Sequence, residues 1–190
     1  MKKTIVAIAL ILGAMSTKAQ QLELMSNGGI NISNQSSKGG NGKSKVGFQT
    51  GFGLNIYTKL PGFSVQPEIN YISKGASYTV LGKKSNYNLN YLELPVLAKY
   101  SIGPVFLNAG PSVGLLLGSS KKAESVMGDL KKIDLGLQLG GGFAVPMSEK
   151  GKLILDLRYG LGLSKISKDQ EADLKNRGFL ISLGYALRLK

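Results

Sequence analysis

The sequence predicts an all-β chain folded as an eight-stranded antiparallel up-and-down transmembrane β-barrel. Three observations predict it. Apolar residues alternate with small and polar ones at period two through eight segments, the pattern of strands with one apolar face. Long polar loops and tight turns take turns along the chain. Beyond the first fifteen residues, no run is long and apolar enough to cross a membrane as a helix, which needs about 20 apolar residues.

The elements follow in order. Lys2 and Lys3 precede a short apolar run, residues 4–15, and Thr17-Lys18-Ala19 sets small residues at the cleavage positions. Residues 1–19 therefore read as a secretory signal peptide cut after Ala19, with the barrel domain over 20–190. In the first strand, 22–33, Leu22, Leu24, Ile30 and Ile32 are in phase. The second, 46–57, sets Val46, Phe48, Phe52, Leu54 and Ile56 against Gly47, Gln49, Gly51, Gly53 and Asn55. The third, 63–74, sets Phe63, Val65, Ile69 and Tyr71 against Gln66, Glu68, Asn70 and Lys74.

The fourth, 90–100, looks least like a buried strand, because Glu93, Pro95 and Lys99 interrupt it. Proline removes a ladder donor, and a strand buried on both faces excludes charge. Alternation resolves this: Leu92, Leu94, Val96, Ala98 and Tyr100 share one face, and Glu93, Pro95, Leu97 and Lys99 the other. The fifth, 105–118, and sixth, 133–145, alternate leucine, valine and isoleucine with glycine, serine, asparagine and Asp134. The seventh, 152–165, opposes five leucines and Tyr159 to Ile154, Asp156, Arg158, Gly160 and Gly162. The eighth, 179–189, opposes Phe179, Ile181, Leu183, Tyr185, Leu187 and Leu189 to Leu180, Ser182, Gly184, Ala186 and Arg188.

Long polar connections follow the odd strands, at 34–45, 75–86, 119–132 and 165–177. Tight turns follow strands two, four and six, at 58–62, 101–104 and 147–151. Long loops at one end, short turns at the other and an even strand count describe an outer-membrane barrel. A soluble ligand-binding barrel would carry its apolar face inside. Bilayer lipid leaves open backbone groups unsatisfied, so the sheet must close. Eight strands then leave a lumen that side chains just fill.

The inward face holds the acids Glu23, Glu68, Glu93, Asp134 and Asp156 and the bases Lys74, Lys99, Arg158 and Arg188. Buried charges need partners, so these are expected to form a structural polar network. Glu23 is expected near Arg188, where the first and last strands meet. Inward glycines are expected to make room for Tyr57, Tyr91 and Phe106. Phe63, Tyr100 and Phe143 are placed near the short-turn rim, and Phe48, Tyr71 and Phe179 near the other, as aromatic girdles.

Composition excludes much chemistry. The chain has no Cys, His or Trp. That removes disulfides, Cys-anchored lipidation, Ser-His-Asp triads and His-metal sites. The alternative reading of Glu68, Glu93 and Asp156 is an acid–base pair for an enzyme acting on lipids, without an accompanying nucleophile. Residues 136–142, GLQLGGG, look like a phosphate-cradling loop. Such a loop opens a helix, whereas this run lies within a strand, and no cofactor is implied. The formal charge is +13, and removing Lys2, Lys3 and Lys18 leaves +10. The four long loops hold 13 Lys and Arg against five acids, so most of the excess lies at the long-loop end. That end would attract lipopolysaccharide phosphates or an acidic protein. Residues 36–45 have no aromatic interleaving suited to nucleic acid.

The run Tyr91-Leu92-Glu93-Leu94-Pro95, then Ala109-Gly110-Pro111, Gln66-Pro67-Glu68 upstream and Arg158-Tyr159-Gly160-Leu161 and Gly184-Tyr185 downstream resemble the PorT-like outer-membrane β-barrel family of Bacteroidota. The likeness covers nearly all of the mature chain. It implies an outer-membrane location and, through the family's namesake, a part in a secretion apparatus. The chain departs from the usual aromatic barrel C-terminus by ending Leu187-Arg188-Leu189-Lys190. The expected protein is thus a non-enzymatic outer-membrane barrel, a structural or interaction component of the envelope. Its partners would be outer-membrane lipid, lipopolysaccharide and envelope or secretion proteins. The alternatives are a secretion accessory and a passive small-solute channel.

Overall fold

A computed structural model of the chain describes residues 21–37, 40–41, 43–80, 83–120, 130–168 and 174–189. The expected leader, its cleavage site and parts of all four long loops lie outside the described residues.

Eight long strands form one antiparallel sheet: β1 (Leu22–Ser37), β2 (Lys45–Tyr57), β3 (Phe63–Val80), β4 (Lys83–Ile102), β5 (Val105–Ser119), β6 (Ile133–Pro146), β7 (Gly151–Gly162) and β8 (Lys175–Arg188). A two-residue piece, Gly40–Asn41, pairs back on the end of β1. Each strand neighbours the next in sequence, and β1 also pairs β8, which closes the barrel. The closing register runs from Glu23↔Arg188 to Ser36↔Lys175. Closure removes both sheet edges, the requirement a bilayer imposes.

Period-two patterning places most of the strand leucines outward. Leu107 is 65% exposed, Phe52 61%, Leu117 59% and Leu183 56%. Soluble monomers rarely expose apolar patches beyond a few hundred Å²; here the patch is a continuous belt around the barrel. On β4, Glu93, Pro95, Leu97 and Lys99 are buried while Ala98 and Tyr100 are not. The charges that interrupt this strand therefore face the lumen. Outside, Phe48 stacks on Tyr71 at 5.4 Å between ring centroids, and Tyr159 packs on Phe179 at 5.0 Å. Both pairs lie toward the long-loop rim.

Residues 75–86, expected as a loop, are mostly strand. The β3–β4 pairing continues without interruption from Ile72↔Tyr91 to Val80↔Lys83, so a hairpin stands above the lipid belt. Gly75 turns the chain into this extension with φ 140°, and the backbone of Tyr87 lies against it. The tight turns use Gly62 (φ 77°) and Gly103 (φ 58°), the left-handed conformations that favour glycine.

The lumen is not uniformly polar: the inward apolar residues gather into two layers. Toward the long-loop end, Ile72, Tyr87, Leu89, Tyr91, Ile166 and Leu180 form an apolar layer. Toward the short-turn end, Met25, Phe106, Ile154 and Ala186 form another. Two of the inward glycines do make room for large rings. A Cβ on Gly114 would meet Tyr91 Cδ1 at 3.2 Å, and one on Gly142 would meet Phe106 Cζ at 2.8 Å. Gly142→Ala is therefore expected to destabilise the barrel by about 1–3 kcal/mol through overpacking. Urea unfolding in lipid vesicles measures it. The Leu155 carbonyl lies nearer still to the added methyl, so an unchanged midpoint would mean that both the ring and the β7 backbone give way.

Candidate functional site

The lumen side chains fall into three polar tiers. Each tier follows from inward positions on neighbouring strands at one height.

At the short-turn end, Glu23 of β1 meets Asn55 and Tyr57 of β2 and Lys152 of β7. Lys152 Nζ donates to Glu23 Oε1 at 2.6 Å and to the Tyr57 hydroxyl at 3.1 Å. Tyr57 donates to Glu23 Oε2 at 2.9 Å, and Asn55 Nδ2 does so at 3.3 Å. The ion partner of Glu23 is therefore Lys152. Arg188 is the backbone partner of Glu23 as expected, but it is half-exposed at the rim and forms no ion pair among the described residues. Strand parity explains the swap. Lys152 is in phase with Ile154 and Asp156, so its head enters the lumen, while Arg188 sits at the last ladder position, where its head reaches the rim.

The middle tier is built on Arg158 of β7. Its Nη1 and Nη2 hold Glu68 of β3 in a fork, at 2.9 and 2.6 Å. Its Nε donates to Asp156 Oδ2 at 2.9 Å, and Nη1 also reaches Gln138 Oε1 at 3.3 Å. Gln66 and Asn70 donate to Glu68 at 2.5 and 2.7 Å, and Asn108 donates to Asp156 at 3.1 Å. The planar guanidinium suits two carboxylates at once. All three charged groups are buried, with residue exposures between 3% and 6%.

The upper tier joins Lys74, Glu93 and Asp134. Lys74 Nζ donates to Glu93 Oε1 at 2.8 Å and lies 3.8 Å from Asp134 Oδ2. Asn176 Nδ2 donates to Asp134 at 3.0 Å, and the Ser164 hydroxyl does so at 3.2 Å. The void beside this tier is only about 20 Å³. Above it, Ile166 is 1% exposed within the apolar layer, and Lys131 N–H donates to its carbonyl at 2.8 Å.

Of the residues expected in one network, Glu68, Asp156 and Arg158 meet in the middle tier and Glu93 and Asp134 in the upper. Glu23 lies below them with Lys152. Lys99 is in the lumen but pairs with no carboxylate among the described residues; its Nζ lies 3.8 Å from the Phe106 ring centroid. The acid–base alternative is not supported by this geometry. Glu68 and Asp156 are both tied to Arg158, and Glu93 is tied to Lys74 one tier away. Sequence reading set Asn108 on the inward face without giving it a partner, and it missed Lys152 and Asn176. Parity marks Lys152 as inward; Asn176 falls in the stretch expected as a loop, which hid its place on β8.

A closed eight-stranded barrel with a lipid-type belt and an ion-paired lumen defines an outer-membrane barrel protein. The chain belongs to the outer membrane protein beta-barrel domain family, whose sequence profile matches residues 18–168. Solved structures agree in fold. The outer membrane protein OprG of Pseudomonas aeruginosa superposes with a TM-score of 0.58 at 10% identity, covering 92% of this chain and 98% of that one. A major outer membrane protein from Thermus thermophilus gives 0.57 at 15%, covering 90% and 100%. Neisserial surface protein A gives 0.52 at 15%, covering 88% and 97%. No curated protein matches the chain significantly.

Proposed function

We propose that this barrel is a non-enzymatic interaction component of the outer membrane, exported by its N-terminal leader. The plugged barrel is an anchor. The basic long-loop end engages anionic envelope partners, either lipopolysaccharide phosphates or the acidic face of an envelope protein. The observation that carries this reading is a division of labour along the barrel axis. The lumen charges are largely spent on one another in three tiers, while the four long loops hold 13 Lys and Arg against five acids. A concentrated basic end raises the local density of anionic partners.

A second, finer reading is an accessory of a secretion apparatus of PorT-like type. Its support is the run Tyr91-Leu92-Glu93-Leu94-Pro95 and the associated motifs. These residues also have structural tasks here, because Glu93 holds Lys74 and Tyr91 fills the upper layer.

Light crosslinking, solubilisation of the outer membrane in mild detergent and identification of what travels with the chain test both readings. Stoichiometric protein partners are expected if it serves an assembly, and their identity names the process. Co-purifying lipopolysaccharide on a heat-modifiable monomer supports the lipid arm. Recovery without detergent from the periplasm sinks the proposal. The passive-channel alternative has its own check. Planar bilayers carrying the purified protein are expected to show no discrete conductance steps, since two apolar layers and the Arg158 tier fill the lumen.

A further inference from the structure

Summed over the three tiers and Lys99, the charges leave one acid over, and the surplus sits in the upper tier. At the short-turn end Glu23 and Lys152 answer each other at 2.6 Å. In the middle, Arg158 faces both Glu68 and Asp156, and Lys99, within electrostatic reach of Asp156, makes up the difference. In the upper tier Lys74 alone faces Glu93, at 2.8 Å, and Asp134, at 3.8 Å. Lys45, buried at the start of β2, pairs with neither carboxylate and lies beyond their electrostatic reach. Arg177 stands opposite the outward Leu161 on β7, so its position on β8 turns away from the lumen.

The void of about 20 Å³ beside this tier is lined by Glu93, Asp134, Ser112 and Asn31. Lys74 occupies Glu93 Oε1, and Glu93 Oε2 accepts no hydrogen bond among the described residues. The Ser112 hydroxyl, on a residue 4% exposed, has no partner among them either. Asn31, 2% exposed, donates its amide N–H to the Ser73 carbonyl, and its Oδ1 accepts nothing among the described residues. A Cβ on Gly136 would lie 3.1 Å from Ser112 Oγ, and one on Gly178 would lie 3.2 Å from Asn31 Oδ1, with strand backbone nearer still. Both glycines line the void, so both oxygens look onto it. Gln138 turns its oxygen to Arg158 and brings an N–H group to the same wall. Unused buried acceptors beside a surplus carboxylate favour a positive guest. Hard cations take oxygen ligands of these kinds, from carboxylates, amide carbonyls and water.

We propose that this void binds one monovalent cation of sodium size, held by Glu93, Asp134, Ser112 and Asn31. Charge selects the valence. One positive charge neutralises the tier, and a divalent ion would leave it positive beside the Lys74 ammonium. Size selects among the monovalent ions, because the void admits about one water-sized sphere, too little for an organic cation and tight for potassium. The Gln138 N–H group serves a water that completes the shell. The four ligands come from β4, β6, β5 and β1, so the ion ties half of the strands together at one height. The rival account of the surplus charge is a proton on one carboxylate, and the two accounts differ in their dependence on sodium. The site is separate from the basic loops of the proposed function, so either can fail alone.

The test is an NMR titration of the full mature chain refolded in nanodiscs, with sodium chloride exchanged for choline chloride at constant ionic strength. Sodium is expected to give saturable amide shifts at Asn31, Ser112 and Asp134. Potassium is expected to bind at least tenfold more weakly, and choline not at all. Glu93→Gln leaves Lys74 matched by Asp134 alone; it is expected to fold and to lose the sodium response, and Ser112→Ala to weaken it. In the unaltered protein the urea midpoint is expected to rise with sodium and not with choline, because the ion binds only the folded barrel. That readout needs no variant to refold. Shifts that follow ionic strength rather than sodium, or a sodium response kept by a folded Glu93→Gln variant, would overturn the proposal. So would a Glu93 or Asp134 carboxyl that titrates near neutral pH without regard to sodium, since a proton then takes up the surplus charge.

Discussion

Arg158→Met is expected to destabilise the barrel by about 3–5 kcal/mol, the usual cost of removing one partner from a buried ion pair. Among the described residues, the arginine is the only cation bonded to Glu68 and Asp156. Without it two carboxylates share a closed lumen, with only Gln66, Asn70 and Asn108 left to donate to them. Urea unfolding in lipid vesicles followed by far-ultraviolet circular dichroism measures the loss, since the chain has no Trp to report by fluorescence. The triple variant Glu68→Gln, Asp156→Asn, Arg158→Met is expected to recover most of it, because neutral groups of similar volume replace a buried ion cluster at little net cost. Arg188→Ala, at the half-exposed rim, is expected to change stability by less than about 0.5 kcal/mol. A loss below about 1 kcal/mol for Arg158→Met would mean that water screens the middle tier. The lumen would then be a wet pore, and the channel reading would return.

Strand placement was legible in the sequence because lipid and lumen impose opposite demands on alternate residues. On β4 that contrast alone assigns Glu93 and Lys99 inward despite the surrounding leucines. Where the contrast ends, the reading ends too. Beyond Lys74 the apolar–polar alternation in the sequence gives out, while the backbone pairing of β3 and β4 continues to Val80↔Lys83. Ion partners were less legible than faces. Parity says which way a side chain points, but the height at which it meets another depends on barrel stagger and side-chain length. Glu23 illustrates this: its backbone neighbour is Arg188, yet the cation that reaches it across the lumen is Lys152. The apolar layers were hidden for a related reason. Ile72, Leu89 and Leu180 occupy inward positions on separate strands, and only closure brings them together.

Leu139→Arg is expected to cost about 2–4 kcal/mol of folding stability in vesicles, the penalty for arginine near the middle of a barrel's lipid face. Leu139 lies midway along the outward face of β6, opposite Ala109 and Tyr159, and is 55% exposed. Val145→Arg on the same face, near the short-turn rim, is expected to cost about 0–1 kcal/mol, because its guanidinium reaches the interface. Urea titration of both variants in one lipid composition makes the comparison. Val145 is 48% exposed, so local packing hardly distinguishes the two sites. In water, both substitutions would place a charge on an already exposed position, and both would be mild. A bilayer is what makes depth along the strand matter. A large cost for Leu139→Arg beside a small one for Val145→Arg therefore locates the hydrocarbon core on this belt. Equal, small costs would require a partner other than lipid to cover the leucines, because so broad an apolar surface does not stay open to water.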